Sequence, residues 1–160
     1  DHMDNPKLVG CDTMNFWIAG KRDALTEVLK RVNIAFVNDA EIRQLTGIGN
    51  LTQAAAKVHD YGPEYVIVKK GEHGAVMYCS GRTCFTAAPY PLEQVIDPTG
   101  AGDSFAGGFM GYLANMGDTS AETVKQAIIM GSLMASFNVV GGFVITDRML
   151  RLFKKKVNSE

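Results

Sequence analysis

The sequence predicts an α/β fold in which a mostly parallel β-sheet is flanked by helices. The first observation is an alternation of short apolar runs with amphipathic segments, which is typical of β-α-β units with right-handed crossovers. The second is a pair of β-type runs around Ser80 and Gly81, which predicts a hairpin. Because hairpin strands are antiparallel, we expect a mixed sheet.

Strands are predicted where short runs of apolar residues are bounded by turn residues. The three buried runs and the two hairpin runs are residues 8–11, 34–37, 65–68, 75–78 and 83–86. The first run delivers Asp12 and Asn15 to the carboxyl end of its strand. Polar residues at that end face the ligand crevice of an α/β sheet.

Helices are predicted between and after these strands. The expected helices cover residues 21–32, 38–45, 51–61, 101–115, 120–139 and 147–156. The first shows apolar residues at helical spacing, with charged residues on the opposite side. Asn38 is a suitable N-cap for the second, and Gly47 follows its end.

Composition predicts one globular domain that binds small ligands. The chain has 160 residues, of which 46% are hydrophobic, and 16 basic and 17 acidic residues give a net charge of −1. This balance provides no broad basic field for nucleic acid. Neither a membrane-length apolar run of ~20 residues nor a signal peptide is found, so we expect no membrane partner and a cytoplasmic location.

The three cysteines also favour a reducing compartment. Cys11, Cys79 and Cys84 form an odd set without metal-type spacing. Cys79 and Cys84 flank the predicted hairpin turn, where they can face each other across two strands. We nevertheless predict free thiols.

A glycine-rich segment before the fourth helix predicts an anion site. It runs from Asp97 to Asp103 with the sequence Asp-Pro-Thr-Gly-Ala-Gly-Asp. Glycines allow successive backbone N–H groups to point at one position, and the first turn of the helix adds unpaired donors and the positive end of its dipole. A carboxylate beside such a site repels phosphate, so Asp103 needs a role such as accepting a proton from an attacking hydroxyl.

This segment resembles the C-terminal signature of the ribokinase-like (PfkB) family of carbohydrate and nucleoside kinases. The resemblance implies a ribokinase-like three-layer fold, here without its N-terminal part and lid, because the match covers the C-terminal half of a typical member. It also implies ATP-dependent phosphoryl transfer to a hydroxyl of a sugar or nucleoside. Asp103 is then the catalytic base, and the backbone of Gly100, Ala101 and Gly102 stabilises the transferred group.

Two further segments extend the resemblance to nucleotide and metal. Gly71 and Gly74 match the family's strand-turn element beside the nucleotide, although glycines of a tight turn explain the same pattern. Lys69 stands where a threonine is common in some members, and this change keeps the capacity to bind phosphate. Asn38 and Glu41 match the family's Asn-x-x-Glu, whose acid helps to hold Mg²⁺. A helix N-cap with a capping box is the alternative for this pair, and both interpretations can hold together.

Weaker matches concern the adenine pocket and a monovalent cation. Ser132 and Ser136 fall where related kinases line the adenine site, but a small-residue packing face explains them equally well. Asp97 and the backbone near Gly141 match positions that hold a monovalent cation in some members.

Two functions of other classes remain open beside the kinase. One is a catalytically silent nucleotide-binding module or fragment, and the other is an α/β domain whose glycine loop binds a generic anion. Because the absent half of a typical member would pair with the sheet, we also predict self-association into a homo-oligomer.

Overall fold

The computed structural model describes residues 6–80, 82–89, 91 and 98–157, with the backbone alone for residue 83 and residues 142–157. The chain divides into two compact units, Asp1–Pro89 and Tyr90–Glu160. The first unit contains the sheet, and the second contains two long helices.

The first unit is built on a five-stranded mixed sheet, which confirms the predicted fold class. In the order in which they lie side by side, the strands are β1 Gly10–Asp12, β2 Ile34–Asn38, β3 Tyr65–Lys69, β4 Ala75–Cys79 and β5 Arg82–Ala87. Strands β1, β2 and β3 are parallel, whereas β4 is antiparallel to both β3 and β5. The hairpin predicted from Ser80 and Gly81 therefore forms one side of the sheet.

The register of the parallel strands brings their carboxyl ends to one edge. Asn38 of β2 pairs with Lys69 of β3, and Asp12 of β1 pairs with Phe36. The N–H of Thr13 donates to the Phe36 oxygen at 3.0 Å and continues the ladder beyond β1. Polar residues that are far apart in the sequence consequently meet at this edge.

In the described part of this unit, four α-helices accompany the sheet, one more than the sequence predicts. They are α1 Asn15–Gly20, α2 Arg22–Leu29, α3 Asp39–Thr46 and α4 Leu51–His59. The short α1 was missed because six residues give too little apolar periodicity to recognise. Lys21, with φ −142° and ψ 38°, separates α1 from α2.

The core lies between the helices and one face of the sheet. Buried side chains of Leu29, Ile42 and Val58 from the helices join those of Ala35 and Val66 from the strands. The intervening strand residues are also buried, as the near-continuous apolar runs of a parallel sheet predict.

Among its described residues, the second unit contains helices α5 Ala101–Met116 and α6 Ala121–Val157. The sequence predicts two helices where α6 continues without a break. Gly141 and Gly142 lie inside it, and each glycine costs only about 1 kcal/mol relative to alanine. The predicted boundary near residue 140 is therefore wrong.

Glycines allow α5 and α6 to approach closely. A Cβ atom added to Gly131 of α6 would lie 2.8 Å from the backbone oxygen of Phe105, and one added to Gly108 would lie 2.6 Å from Cγ of Met134. Phe109 and Ile128 are fully buried. The glycines thus act as packing positions between the two helices.

Part of α6 corrects the expectation about membrane-length segments. Residues Ala121–Gly141 are long and apolar enough to cross a membrane by length and composition, with a mean hydropathy of 1.2. The core helix of a folded domain meets the same criterion, so this finding alone is weak support for a membrane span.

The prediction of free thiols at the hairpin is wrong for two of the three cysteines. Cys79 and Cys84 are joined by a disulfide, with Cα atoms 5.8 Å apart, and Cys11 is free. Met77 pairs with Phe85 while Tyr78 pairs with Thr83, so the ladder is irregular at this point. Cys84 is the extra residue of this bulge, which brings it beside Cys79.

Candidate functional site

Five polar residues meet where the parallel strands of the first unit end. This carboxyl-end cluster consists of Asp12, Thr13, Asn38, Glu41 and Lys69, supplied by β1, β2, β3 and α3. Neighbouring parallel strands present their last residues at one edge, which is why three segments converge here.

Asn38 and Glu41 form the capping box at the start of α3. The Glu41 N–H donates to Oδ1 of Asn38 at 2.7 Å, and the Asn38 N–H donates to Oε2 of Glu41 at 2.9 Å. The structural explanation weighed for this pair is therefore confirmed. The role of Glu41 at a metal remains a prediction, and the two are compatible because one carboxylate has two oxygens.

Thr13 also contacts Glu41, and reasoning from the sequence did not identify it. Its hydroxyl donates to Oε2 of Glu41 at 3.0 Å, and both side chains are buried. The two residues are 28 positions apart. Only the position of Thr13 directly after a predicted strand hinted at a role.

The second oxygen of Glu41 is left open. Among the described residues no donor reaches Oε1, and the only buried side-chain polar atom there without a partner is Nε2 of His59. Oε1 therefore reaches solvent. A carboxylate with one anchored and one accessible oxygen is suited to hold a cation or a cation-bound water.

Lys69 forms an ion pair with Asp12. Its Nζ donates to both carboxylate oxygens, at 2.7 and 2.6 Å, and the two side chains are largely shielded from solvent. Burial raises the pKa of the Asp12 carboxyl, while the hydrogen bonds and charge of Lys69 oppose that rise. The contact of Lys69 with a nucleotide stays a prediction, and it would compete with this pair.

Gly71 and Gly74 shape the turn between β3 and β4. Their φ angles are +56° and +80°, which non-glycine residues rarely adopt. The Lys70 N–H donates to the Gly74 oxygen at 2.8 Å, and the Gly74 N–H donates to the Gly71 oxygen at 3.0 Å. The turn alone thus explains both glycines, and their contact with a nucleotide remains a prediction.

The start of α5 carries the predicted anion site of the second unit. Gly100 is in the left-handed conformation, with φ 79°, and caps the helix. The Ala101 N–H donates to the Pro98 oxygen at 3.1 Å. Within the described part of the chain, the N–H groups of Gly102 and Asp103 have no backbone acceptor, and the Asp103 side chain is exposed.

These two amides and the carboxylate share the first turn of a 16-residue helix. Unpaired N–H groups and the helix dipole attract an anion, and the adjacent carboxylate can accept a proton. Asp97, the first residue of the motif, lies outside the described residues, so its proposed part in a cation site has no structural account.

The predicted adenine-pocket residues bond to their own helix. Ser132 Oγ donates to the Ile128 oxygen at 3.0 Å, and Ser136 Oγ donates to the Ser132 oxygen at 2.9 Å. Asn138 approaches the start of α5, since its Nδ2 lies 3.5 Å from the position of a Cβ on Gly100. These contacts agree with a packing role for the serines and leave an adenine contact as a prediction.

A metal site made by the protein alone is absent from the described residues, where no three His, Cys, Asp or Glu side chains cluster. Mg²⁺ is commonly held by one or two carboxylates together with waters and substrate phosphates. The donor set around Glu41 is therefore consistent with a cation held jointly with a phosphate ligand.

Comparison with known sequences identifies relatives of one kind. The profile of pfkB family carbohydrate kinases matches residues 7–144. A cytidine kinase of Thermococcus kodakarensis is 41% identical over 93 residues, which cover 58% of this chain and 34% of that protein. A ribokinase of Arabidopsis thaliana is 32% identical over 67% of this chain and 29% of its own length.

Solved structures give the same answer for the fold. Aminoimidazole riboside kinase from Salmonella enterica, complexed with aminoimidazole riboside and an ATP analog, has a TM-score of 0.72 at 25% identity over 82% of this chain and 46% of its own. The nucleoside kinase of Methanocaldococcus jannaschii has a TM-score of 0.64 at 28% identity, over 82% of this chain and 41% of its own. The chain thus spans about a third of these two curated relatives and less than half of these two solved chains.

Proposed function

The chain belongs to the pfkB family of carbohydrate kinases, and from this we propose that it carries the nucleotide-binding and phosphoryl-transfer part of an ATP-dependent kinase. The acceptor class is a hydroxyl of a sugar or a nucleoside. The relatives' names support this breadth, since they include a cytidine kinase and a ribokinase. The chain does not carry enough of their length to narrow the choice.

The arrangement at the start of α5 is the observation that carries this proposal. Within the described part of the chain, the N–H groups of Gly102 and Asp103 have no backbone acceptor, and they share the first helical turn with the exposed carboxylate of Asp103. A site that only binds phosphate gains nothing from this carboxylate, because like charges repel. A site that transfers phosphate needs a proton acceptor next to the anion.

In the proposed reaction, Asp103 accepts the proton of the acceptor hydroxyl while the oxygen of that hydroxyl attacks the γ-phosphorus of ATP. The bond from that phosphorus to the bridging oxygen of ADP breaks. The N–H groups of Gly102 and Asp103 stabilise the charge on the transferred group. When bound, Mg²⁺ would supply charge neutralisation for the phosphates, and Glu41 is the residue proposed to hold it.

A catalytically silent nucleotide-binding module is the second candidate. The observation that favours it is the short coverage of the relatives, between 29% and 46% in the proteins compared above. A piece of this size can retain the nucleotide contacts while lacking residues for the acceptor. ATP affinity without phosphoryl transfer to any acceptor would identify this case.

The first test is isothermal titration of the full chain with Mg-ATP, Mg-ADP and inorganic phosphate at matched salt. Magnesium-dependent binding of the two nucleotides that is clearly tighter than binding of phosphate is expected. Equal affinity for phosphate and ATP would instead indicate a generic anion site. No binding of either nucleotide would contradict a nucleotide site in this chain.

Asp103→Asn tests the catalytic role directly. We expect phosphoryl transfer to fall by ~10²–10⁴-fold while nucleotide affinity stays within a small factor, because loss of a positioned base slows the chemical step alone. The assay follows ADP release with a panel of sugars and nucleosides. Glu122→Gln, which alters another exposed acid of the same unit, is the control. Normal turnover in Asp103→Asn would rule out Asp103 as the base.

A further inference from the structure

The Glu41 carboxylate accepts hydrogen bonds from two different segments of the chain. In the capping box, the N–H of Asn38 at the end of β2 donates to Oε2, and the Thr13 hydroxyl donates to the same oxygen from just after β1. The backbone of Thr13 is itself fixed, because its N–H donates to the Phe36 oxygen at 3.0 Å. The hydroxyl donor therefore belongs to a residue whose backbone is hydrogen-bonded to the neighbouring strand β2.

The helix cap does not need this second donor. The mutual hydrogen bonds of Asn38 and Glu41 already complete the capping box. The capping bond ties the Glu41 carboxylate to its own helix, whereas the Thr13 bond sets its orientation relative to β1. With Oε2 occupied twice, Oε1 is the oxygen turned to solvent at the edge where the strands end.

We infer that Thr13 is a positioning residue that directs Oε1 of Glu41 toward the metal held with the nucleotide. This inference rests on the proposed function, because it assumes that Glu41 serves Mg²⁺. Residues that hydrogen-bond a metal-holding carboxylate fix its orientation, and their removal commonly weakens metal affinity by 10–100-fold. Thr13 touches neither metal nor nucleotide in this scheme and acts through Glu41 alone.

The experiment measures how strongly Mg²⁺ improves nucleotide binding. A non-hydrolysable ATP analogue is titrated into the full chain in Mg²⁺ and in EDTA, and the ratio of the two Kd values is the magnesium enhancement. Thr13→Val removes the hydroxyl at nearly constant shape, and Thr13→Ser restores it. Glu41→Gln tests the underlying metal role.

Thr123→Val is the matched control for the loss of a buried hydroxyl. Thr123 is buried to the same degree as Thr13, and its hydroxyl also donates to a carboxylate, that of Asp118 at the start of α6. It lies in the other unit, so this variant reports the general effect of the substitution on stability without altering Glu41.

We expect Thr13→Val to lower the magnesium enhancement by about tenfold, or to abolish it, with an unchanged Kd in EDTA. Thr13→Ser and Thr123→Val should keep the wild-type ratio. If Thr13→Val kept the wild-type magnesium enhancement while Glu41→Gln lost it, the role of Thr13 would be overturned and that of Glu41 would stand. An equal loss of affinity in Mg²⁺ and in EDTA would show that Thr13 is merely structural.

The proposed metal role fails in a different way. A wild-type chain without magnesium enhancement, or a Glu41→Gln variant with the wild-type ratio, would remove Glu41 from the metal site. The inference about Thr13 would then be wrong as well, because it assumes that Glu41 holds the metal.

Discussion

Gly74 is restricted by its neighbours as well as by its backbone angles. A Cβ atom there would collide with the Ala87 oxygen and lie 2.9 Å from the Pro89 nitrogen, whereas a Cβ on Gly71 would meet nothing within 4 Å. Both glycines have positive φ. The two candidate nucleotide-binding glycines therefore differ in what packing demands of them.

Replacement of each glycine by alanine separates these demands. We expect Gly74→Ala to destabilise the first unit by several kcal/mol, because backbone strain of about 1–2 kcal/mol adds to a backbone clash. Gly71→Ala should cost only the strain. Urea unfolding followed by far-ultraviolet circular dichroism measures both, and equal losses would contradict the packing argument. A fall in ATP affinity for Gly71→Ala without unfolding would add support for a nucleotide contact.

At the level of elements, the start of α6 is held by one carboxylate. Asp118 accepts hydrogen bonds from the N–H and the hydroxyl of Ser120 and from the hydroxyl of Thr123. These hydrogen bonds lower the pKa of Asp118 from 3.8 to about 2, and the bond from the Ser120 side chain has the largest effect. The charged form of Asp118 thus belongs to the folded helix start.

The acid stability of the second unit should depend on Asp118. A carboxyl whose pKa is lower in the folded state stabilises the fold above its unfolded pKa, and this contribution is lost as the pH falls from about 4 to about 2. Asp118→Asn should therefore weaken the dependence of the free energy of unfolding on pH in this window. Thermal unfolding at a series of acid pH values tests it, with Glu122→Gln as the control. An unchanged acid profile would contradict the prediction.

The contact between α5 and α6 gives a second prediction at this scale. Gly131→Ala is expected to destabilise the second unit by about 1–3 kcal/mol, because its Cβ would press on the Phe105 backbone. Gly111→Ala is the matched change on α5, where a Cβ meets nothing within 4 Å, and it should stabilise the helix by about 0.5–1 kcal/mol. Chemical denaturation measures both, and a stabilising Gly131→Ala would exclude close packing there.

For the molecule as a whole, the unpaired edge strand is followed along the chain by exposed apolar side chains. In the described sheet β1 pairs only with β2. Helix α1, which follows β1 in the chain, exposes Phe16 and Trp17 by 65% and 48%, and their rings stack edge to face at 5.2 Å. Unpaired strand edges and contiguous exposed apolar residues favour association between chains.

We predict that the isolated chain self-associates through this region. Light scattering coupled to size exclusion should give a mass above that of a monomer, rising with concentration. Phe16→Lys should shift it toward the monomer, whereas Val28→Lys, at an isolated exposed position on α2, should have little effect. A sharp monomer peak at every concentration would contradict the prediction.

Much of the fold was accessible from the sequence because its elements are long or strongly patterned. The strands β2 and β3, the hairpin and α3 with its Asn38 cap were predicted close to their observed positions. The short α1, the continuous α6 and the disulfide were not. They depend on tertiary packing and on a strand register that local pattern does not reveal.

For the candidate site too, some features were predicted from the sequence and others were not. The glycines and Asp103 at the start of α5 were predicted from the sequence to bind an anion and accept a proton, because adjacent residues along one chain create that chemistry. This role stays a prediction. The carboxyl-end cluster could be predicted only in part from the sequence, since Thr13 and Lys69 bond to residues that are 28 and 57 positions away. Such contacts are set by strand order and register.

The sequence by itself therefore determined the α/β class and the family resemblance, and it predicted the role of Asp103, because all three depend on local pattern and spacing. Only the tertiary structure decided that Lys69 forms an ion pair with Asp12, that Cys79 forms a disulfide with Cys84 and that Thr13 donates a hydrogen bond to Glu41. The physical reason is that parallel pairing brings the ends of separate strands together, and no local pattern encodes which side chains will then meet.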